Sequence, residues 1–195
     1  PIDSQYDIIL TSRTYKRTVF RNIKKPLDVY CCSGGGGAYV NGAINITNGG
    51  VSSIVGNGID IVCTGGETSN NDSHGGGLGG VVASNMGGTD TYNYNGYYGV
   101  ESNIPNYVGG VASFGCPITN PPLVNGFNDS GYMFGCGCGC GIDGAVSGGS
   151  GAIAYSQITP LKLYGTVMTV GEGGTNTDIG GIATGQQGAI VIKLY

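Results

Sequence analysis

The chain has 195 residues, of which 41 are glycine and only 10% are charged, with a formal net charge of −4. That length fits one domain, and so little charge beside so much glycine excludes both a charged disordered tail and the composition of an ordinary enzyme. No apolar run reaches the roughly 18 residues of a membrane-spanning helix, so membrane insertion is not expected.

The first residues, PIDSQYDIIL, lack the basic and apolar regions of a secretion signal, and the leading Pro1 reads as a processed or trimmed end. Next comes a basic cluster of Arg13, Lys16, Arg17, Arg21, Lys24 and Lys25, after which no Lys or Arg occurs until Lys162. So long a stretch without a cation cannot grip a phosphate backbone, which excludes nucleic acid as the main partner. The cluster reads as a solvated strand face or as a dock for an acidic neighbour. Two short β-type runs follow, RTVFRNI from Arg17 and LDVYCC from Leu27. Residues 1–30 are expected to be N-terminal strands and a candidate attachment segment, and 31–195 a glycine-rich region of the same single domain.

GAINITNGG alternates Ala43, Asn45 and Thr47 with Ile44 and Ile46, and GIDIVCTGG comes after it. This period of two predicts strands with one buried face. Asn-Gly pairs at Asn41, Asn48, Asn57, Asn95 and Asn125 supply the positive φ angles of tight turns. Near the C-terminus LKLYGTVMTVGEGG from Leu161 and GAIVIKLY, ending at Tyr195, return to strand grammar.

Between these ends glycine is too dense for sheet and too irregular for a collagen repeat, as in SHGGGLGGVVASNMGG and GCGCGCGIDGAVSGGSGAIA. Ordering a glycine costs roughly 0.5–1 kcal/mol more than ordering an alanine, and over so many positions the sum exceeds the ~5–15 kcal/mol net stability of a domain. An ordered chain therefore needs glycine where a side chain has no room. Spacings of three recur, Gly34 to Gly37, Gly76 to Gly79, Gly141 to Gly144 and Gly185 to Gly188. An extended left-handed helix has three residues per turn, so such glycines line one edge and let neighbouring helices bond backbone to backbone. The expected fold is mostly β and irregular, with short antiparallel strands framing packed extended helices and almost no α-helix.

The order of these elements, PLDVYCCSGGGGAYV, then glycine-rich segments, then ITPLKLYGTVMTVGEGG and a closing GQQGAIVIKLY, resembles the glycine-rich tip domains of bacteriophage tail fibres and related adhesins. The matching elements are a Pro-initiated strand at Pro160, a TVGxGG step from Thr169 to Gly174, and a final strand from Gly185 to Tyr195. The resemblance covers roughly residues 17–195. It implies a sandwich of polyglycine II helices that holds variable loops against a host surface, and receptor binding by a virion protein. The shorter glycine runs and the cysteines depart from that family's pattern.

Seven cysteines occur, Cys31, Cys32, Cys63, Cys116, Cys136, Cys138 and Cys140. Extended residues two apart have Cα atoms about 6.6–6.8 Å apart, the upper limit for a disulfide, and C-x-C-x-C fits zinc spacing poorly. They are expected to act as small apolar residues between closely packed segments, with one or two long-range disulfides left open. His74 beside Asp72 and Ser73 has no nucleophile motif near it: GGSGA around Ser150 lacks the last glycine of G-x-S-x-G. No catalytic residue, metal or cofactor is expected.

The segment TYNYNGYYGVESNIPNY is the candidate recognition site, with Tyr92, Tyr94, Asn95, Tyr97, Tyr98, Asn106 and Tyr107. Tyrosine among Asn and Gly matches paratope chemistry and suits sugar rings or protein surfaces. Equally, these rings are candidates for the core of a chain with four Phe and no Trp. FGCPITNPPLVNGFNDSGYMF is the second candidate loop, stiffened by Pro117, Pro121 and Pro122, with Phe127, Tyr132 and Phe134 as contacts or anchors. Sequons at Asn45, Asn71 and Asn128 match chance in so Asn-rich a chain.

The expected function is non-enzymatic attachment of a virus to its host from the virion surface. The partners would be a host surface protein or glycan, other fibre proteins, and further copies of the chain. A structural decoration or extracellular filament subunit acting through self-assembly is the alternative.

Overall fold

In Leu27–Cys32 the residues Leu27, Val29 and Cys31 are buried while Asp28 and Tyr30 between them are partly exposed. One face of that strand thus lies against a core, as the period of two demands. A computed structural model of the chain describes residues 8–11, 23, 25–37, 45–68, 76–99, 148–175 and 185–193. The strands are β1 (Ile8–Leu10), β2 (Leu27–Cys32), β3 (Ser52–Gly56), β4 (Ile59–Cys63), β5 (Val82–Met86), β6 (Thr89–Tyr94), β7 (Ile153–Ile158), β8 (Val167–Thr169) and β9 (Ala189–Lys193). Among the described residues the helix is a single turn, α1 (Pro160–Leu163).

The strands form two antiparallel sheets, one in the order β1-β9-β2-β7-β6 and the other β5-β4-β3-β8. Leu27, Val29, Cys31, Ile158, Ile190 and Ile192 of the larger sheet pack with Ile54, Ile59, Ile61 and Cys63 of the smaller in one buried cluster. On the opposite face of the larger sheet Cys32, Ile153, Ala189 and Val191 make a second buried group, with Tyr30 against it. The β3–β4 hairpin closes through Asn57 (φ 49°) and Gly58 (φ 77°), the mirror-image turn that an Asn-Gly pair favours. A different connection joins β5 to β6, passing Gly87 and Gly88 from one sheet to the other.

Beyond one end of this sandwich, each strand from β2 to β9 continues into a glycine-bearing segment, at 33–37, 47–50, 64–68, 76–81, 95–99, 148–152, 171–175 and 185–188. Their backbones bond to one another without sheet pairing. Segment 33–37 lies inside the layer: Ser33 and Gly36 donate to Ala152 and Gly149, Gly34 and Gly37 to Gly50 and Thr47, and Gly35 to Gln186. Carbonyls of Gly34 and Gly35 accept from Gly66 and Gly174. Five neighbouring segments are thereby satisfied, and the donor returns to the same neighbour every third residue. A Cβ at Gly34 would overlap the Glu172 carbonyl oxygen, and one at Gly65 would overlap Gly49. No side chain larger than hydrogen fits there.

Serines mark the change from one bonding pattern to the other. Buried Ser33 accepts the Ala152 N–H at 2.7 Å and donates to the Thr64 carbonyl at 2.6 Å, while Ser52 accepts the Gly171 N–H at 2.9 Å. Their hydroxyls satisfy main-chain groups at the junction, where the ladder ends.

Several expectations need correction. Of GAINITNGG, residues 42–44 fall outside the described residues, while Thr47–Gly50 belong to the glycine layer and the ladder of β3 begins only at Ser52. Pro160 opens a helical turn, whose fixed φ suits a first-turn position, and the strand follows only at Val167. Asn48 and Asn95 lie in layer segments rather than turns. RTVFRNI falls outside the described residues except for Ile23, as do Asn41, Asn125 and the four later cysteines.

Candidate functional site

Two poles result from this arrangement. At one lie the hairpin turn at Asn57–Gly58, the connection at Gly87–Gly88 and α1. At the other the layer segments end in a shared bonding level: Gly37 with Thr47, Thr47 with Thr175, Glu67 with Leu78, Gly99 with Gly77, Gly149 with Glu67, and Gly185 with Gly174. Thr68 N–H adds a bond to the Asn48 side-chain oxygen, and the Thr47 hydroxyl accepts from Thr175 N–H, each at 2.8 Å. From this second pole the chain departs and returns between 37 and 45, 68 and 76, 99 and 148, and 175 and 185.

The tyrosines lead towards that pole. Tyr92 and Tyr94 sit on β6, an edge strand whose six residues are all exposed, and Tyr97 and Tyr98 on the layer segment that extends it. These four side chains are 48–67% exposed, so they do not supply the core. Exposed Leu78 and Val81 lie on the neighbouring segment, bonded to it through Gly96 to Gly80 and Gly99 to Gly77.

The backbone beneath them is fixed at several points. Tyr97 N–H donates to the buried Ser150 hydroxyl at 2.8 Å, and the Tyr97 carbonyl accepts from Ser150 N–H at 2.9 Å. Asn95 serves the framework, its side-chain oxygen accepting the Val82 N–H at 3.1 Å. Asn85 reaches from β5 to the Tyr155 carbonyl at 3.0 Å and the Asn93 side chain at 2.7 Å, tying the two sheets at this edge. Nothing in the sequence singled Asn85 out.

Tyr92 also joins a cross-strand row with Tyr155 and Tyr30, at ring separations of 5.7 and 5.0 Å. Tyr155 donates its hydroxyl to Asp28 at 2.9 Å, and Gln157 donates to the same oxygen at 3.2 Å. Burial, helped by the Asp28 bond, pushes the Tyr155 hydroxyl up to about 12. This row stiffens the inner flank of the exposed tyrosines.

Asn106, Tyr107, Phe127, Tyr132 and His74 lie outside the described residues. Among the described residues no group of three or more His, Cys, Asp or Glu side chains is placed to hold a metal, and no helix is long and apolar enough to cross a membrane. Cys31, Cys32 and Cys63 are buried, and the Cys63 thiol contacts the Cys31 carbonyl at 3.2 Å. No family model, curated protein or solved structure matches the chain.

Proposed function

We propose that the protein is a receptor-binding tip of a viral fibre, in which a polyglycine II layer presents recognition loops and a flanking row of tyrosines to the host surface. One observation carries the reading: the chain's excursions from the layer all depart from one pole, on segments tied to each other by backbone hydrogen bonds. The return of donors to the same neighbour every third residue supports threefold extended helices for these segments. The overlap that a Cβ at Gly34 or Gly65 would make with neighbouring backbone supports packing close enough to require glycine. Such a base is preorganised, so contacts at its end lose little entropy on binding, and multiple copies on a particle turn weak contacts into avid attachment.

Soluble protein should compete with its virus for adsorption to host cells. Tyr94→Ser and Tyr97→Ser change exposed side chains, so each should shift stability by no more than about 0.5 kcal/mol. Each should nevertheless weaken the competition. Unchanged competition by both variants would remove the tyrosines from the binding surface. Burial of these tyrosines between copies, detected as protection from iodination in an assembled form, would favour self-assembly instead.

A further inference from the structure

Three of the chain's Asn-Gly pairs lie among the described residues, at Asn48, Asn57 and Asn95. Such a pair is chemically reactive, because glycine puts no side chain in the way when its backbone nitrogen turns onto the side-chain carbonyl of the preceding asparagine. Whether that path is open depends on how each nitrogen is held.

In two of the pairs the glycine layer closes it. Gly49 N–H donates to the Gly66 carbonyl at 2.8 Å, and Gly96 N–H to the Gly80 carbonyl at 2.7 Å. A Cβ on either glycine would overlap main chain, that of Gly34 at one and of Ser150 at the other. The asparagine side chains are engaged as well, their oxygens accepting the N–H groups of Thr68 and Val82. Attack at these sites requires bonds between layer segments to open first.

Gly58 is placed differently. It is exposed in the turn of the β3–β4 hairpin, a Cβ there would meet open space, and its N–H has no acceptor among the described residues. Asn57 is exposed too, its amide shared among the carbonyls of Leu161, Lys162 and Tyr164 at 3.0, 3.2 and 3.4 Å. Two amide hydrogens cannot serve three carbonyls at full strength, so freeing this side chain costs less than opening the layer.

We infer that Asn57 is a modification site, at which attack by the Gly58 nitrogen deamidates the chain and unlatches α1 from the β3–β4 hairpin. The Gly58 nitrogen bonds to the Asn57 side-chain carbonyl carbon while the bond from that carbon to Nδ2 breaks. The Gly58 amide proton leaves with Nδ2 as ammonia, and a succinimide ring remains. Water then opens the ring, at the side-chain carbonyl to give aspartate or at the main-chain carbonyl to give isoaspartate, whose backbone is one carbon longer. Nothing is oxidised or reduced. The group lost is the donor of the clamp, and the carboxylate that replaces it only accepts, so it would face three carbonyl oxygens. Lys162 is not free to answer it, its ammonium being held by the Gly87 carbonyl at 2.6 Å. Asn48 and Asn95 act through their side-chain oxygens, and the same change there would keep an acceptor in place.

The test follows each pair separately. Folded wild-type protein is held at pH 8.5, and its proteolytic peptides are read over days by mass spectrometry with fragmentation that separates aspartate from isoaspartate. Asn57 should convert at least about tenfold faster than Asn48 and Asn95. In concentrated urea, where no fold protects any pair, the three should convert at similar rates. Equal rates in the folded protein, or faster conversion at Asn48 or Asn95, would overturn the inference. Unlatching is read by hydrogen exchange at Leu163, Tyr164 and Thr166, whose amides donate to the Thr159, Pro160 and Leu163 carbonyls in and beside α1. These amides should exchange at least about fivefold faster in aged wild type and in Asn57→Asp than in fresh protein. Unchanged exchange in the aged protein would overturn the claim that the modification releases α1, whether or not Asn57→Asp folds.

Discussion

The sandwich and the glycine layer are continuous strand by strand, yet they are stabilised in opposite ways. In the sandwich, Ile54, Ile61, Ile190 and their neighbours fill space between sheets, and burial of side chains is the driving term. In the layer, the backbones approach until no side chain fits, and hydrogen bonds between segments replace burial. Volume therefore has opposite signs in the two regions: the sandwich is harmed by losing a methyl group, the layer by gaining one.

The largest expected effect tests that contrast. Gly34→Ala places a methyl group on the Glu172 carbonyl, with Gly50 backbone also in the way, and neither obstacle is a flexible side chain. We expect a loss of about 3 kcal/mol or more, enough to leave much of the population unfolded. Ile61→Val removes one methylene from a fully buried site and should cost about 1 kcal/mol. Gly58→Ala meets open space but keeps a φ of +77°, so its cost should be only about 1 kcal/mol from backbone strain. Urea denaturation should set Gly34→Ala apart from the other two; equal losses in all three would mean that the layer tolerates side chains and that the contrast is wrong.

How much of this was legible follows from the same physics. Strands β2, β4 and β9 bury one or both faces and so print a hydrophobic pattern in LDVYCC, IDIVC and AIVIK. The need for glycine without room for Cβ was readable from composition, because an ordered chain could accommodate so many glycines in few other ways. Strand β6 left no such mark: TDTYNY is exposed on every residue, and a strand without a buried face has no period to read. Its tyrosines consequently looked like loop residues. Strand β7 was hidden by Ser156, a buried polar residue on the core side that interrupts the apolar pattern of IAYSQI. The clustering of excursions at one pole depends on which segments are neighbours, and local sequence does not encode that.

A second prediction concerns the turn pole, where side chains do what bare backbone does in the layer. Asn57 combines a φ of 49° with an amide that reaches the Leu161 and Lys162 carbonyls. Asn57→Gly keeps the turn and removes the clamp, whereas Asn57→Ala removes the clamp and adds strain. Expected losses are about 1 kcal/mol for glycine and about 2 kcal/mol for alanine. If the two variants lose the same amount, the backbone angle contributes nothing; if glycine matches the wild type, the amide clamp is idle.

The smallest effect at neutral pH separates the regions by their response to base. The layer's inner bonds join amides to carbonyls and do not titrate, but the sandwich includes the Tyr155 hydroxyl, which donates to Asp28 and is pushed up to about 12 from an ordinary 10.0. Tyr155→Phe should cost about 0.5–1 kcal/mol near pH 7, a hydrogen bond to a carboxylate discounted because the pair is partly exposed to solvent. Because the folded chain holds this proton more tightly than the unfolded one, the stabilisation is complete below about pH 10 and declines as the pH rises towards 12. The other tyrosines and lysines are common to both proteins, so the stability difference between wild type and Tyr155→Phe isolates this group. Urea titrations at pH 9 and pH 11.5 should show the difference shrinking at the higher pH. A difference that stays constant or widens would mean that the Tyr155 proton is not held by burial and Asp28 as the geometry requires.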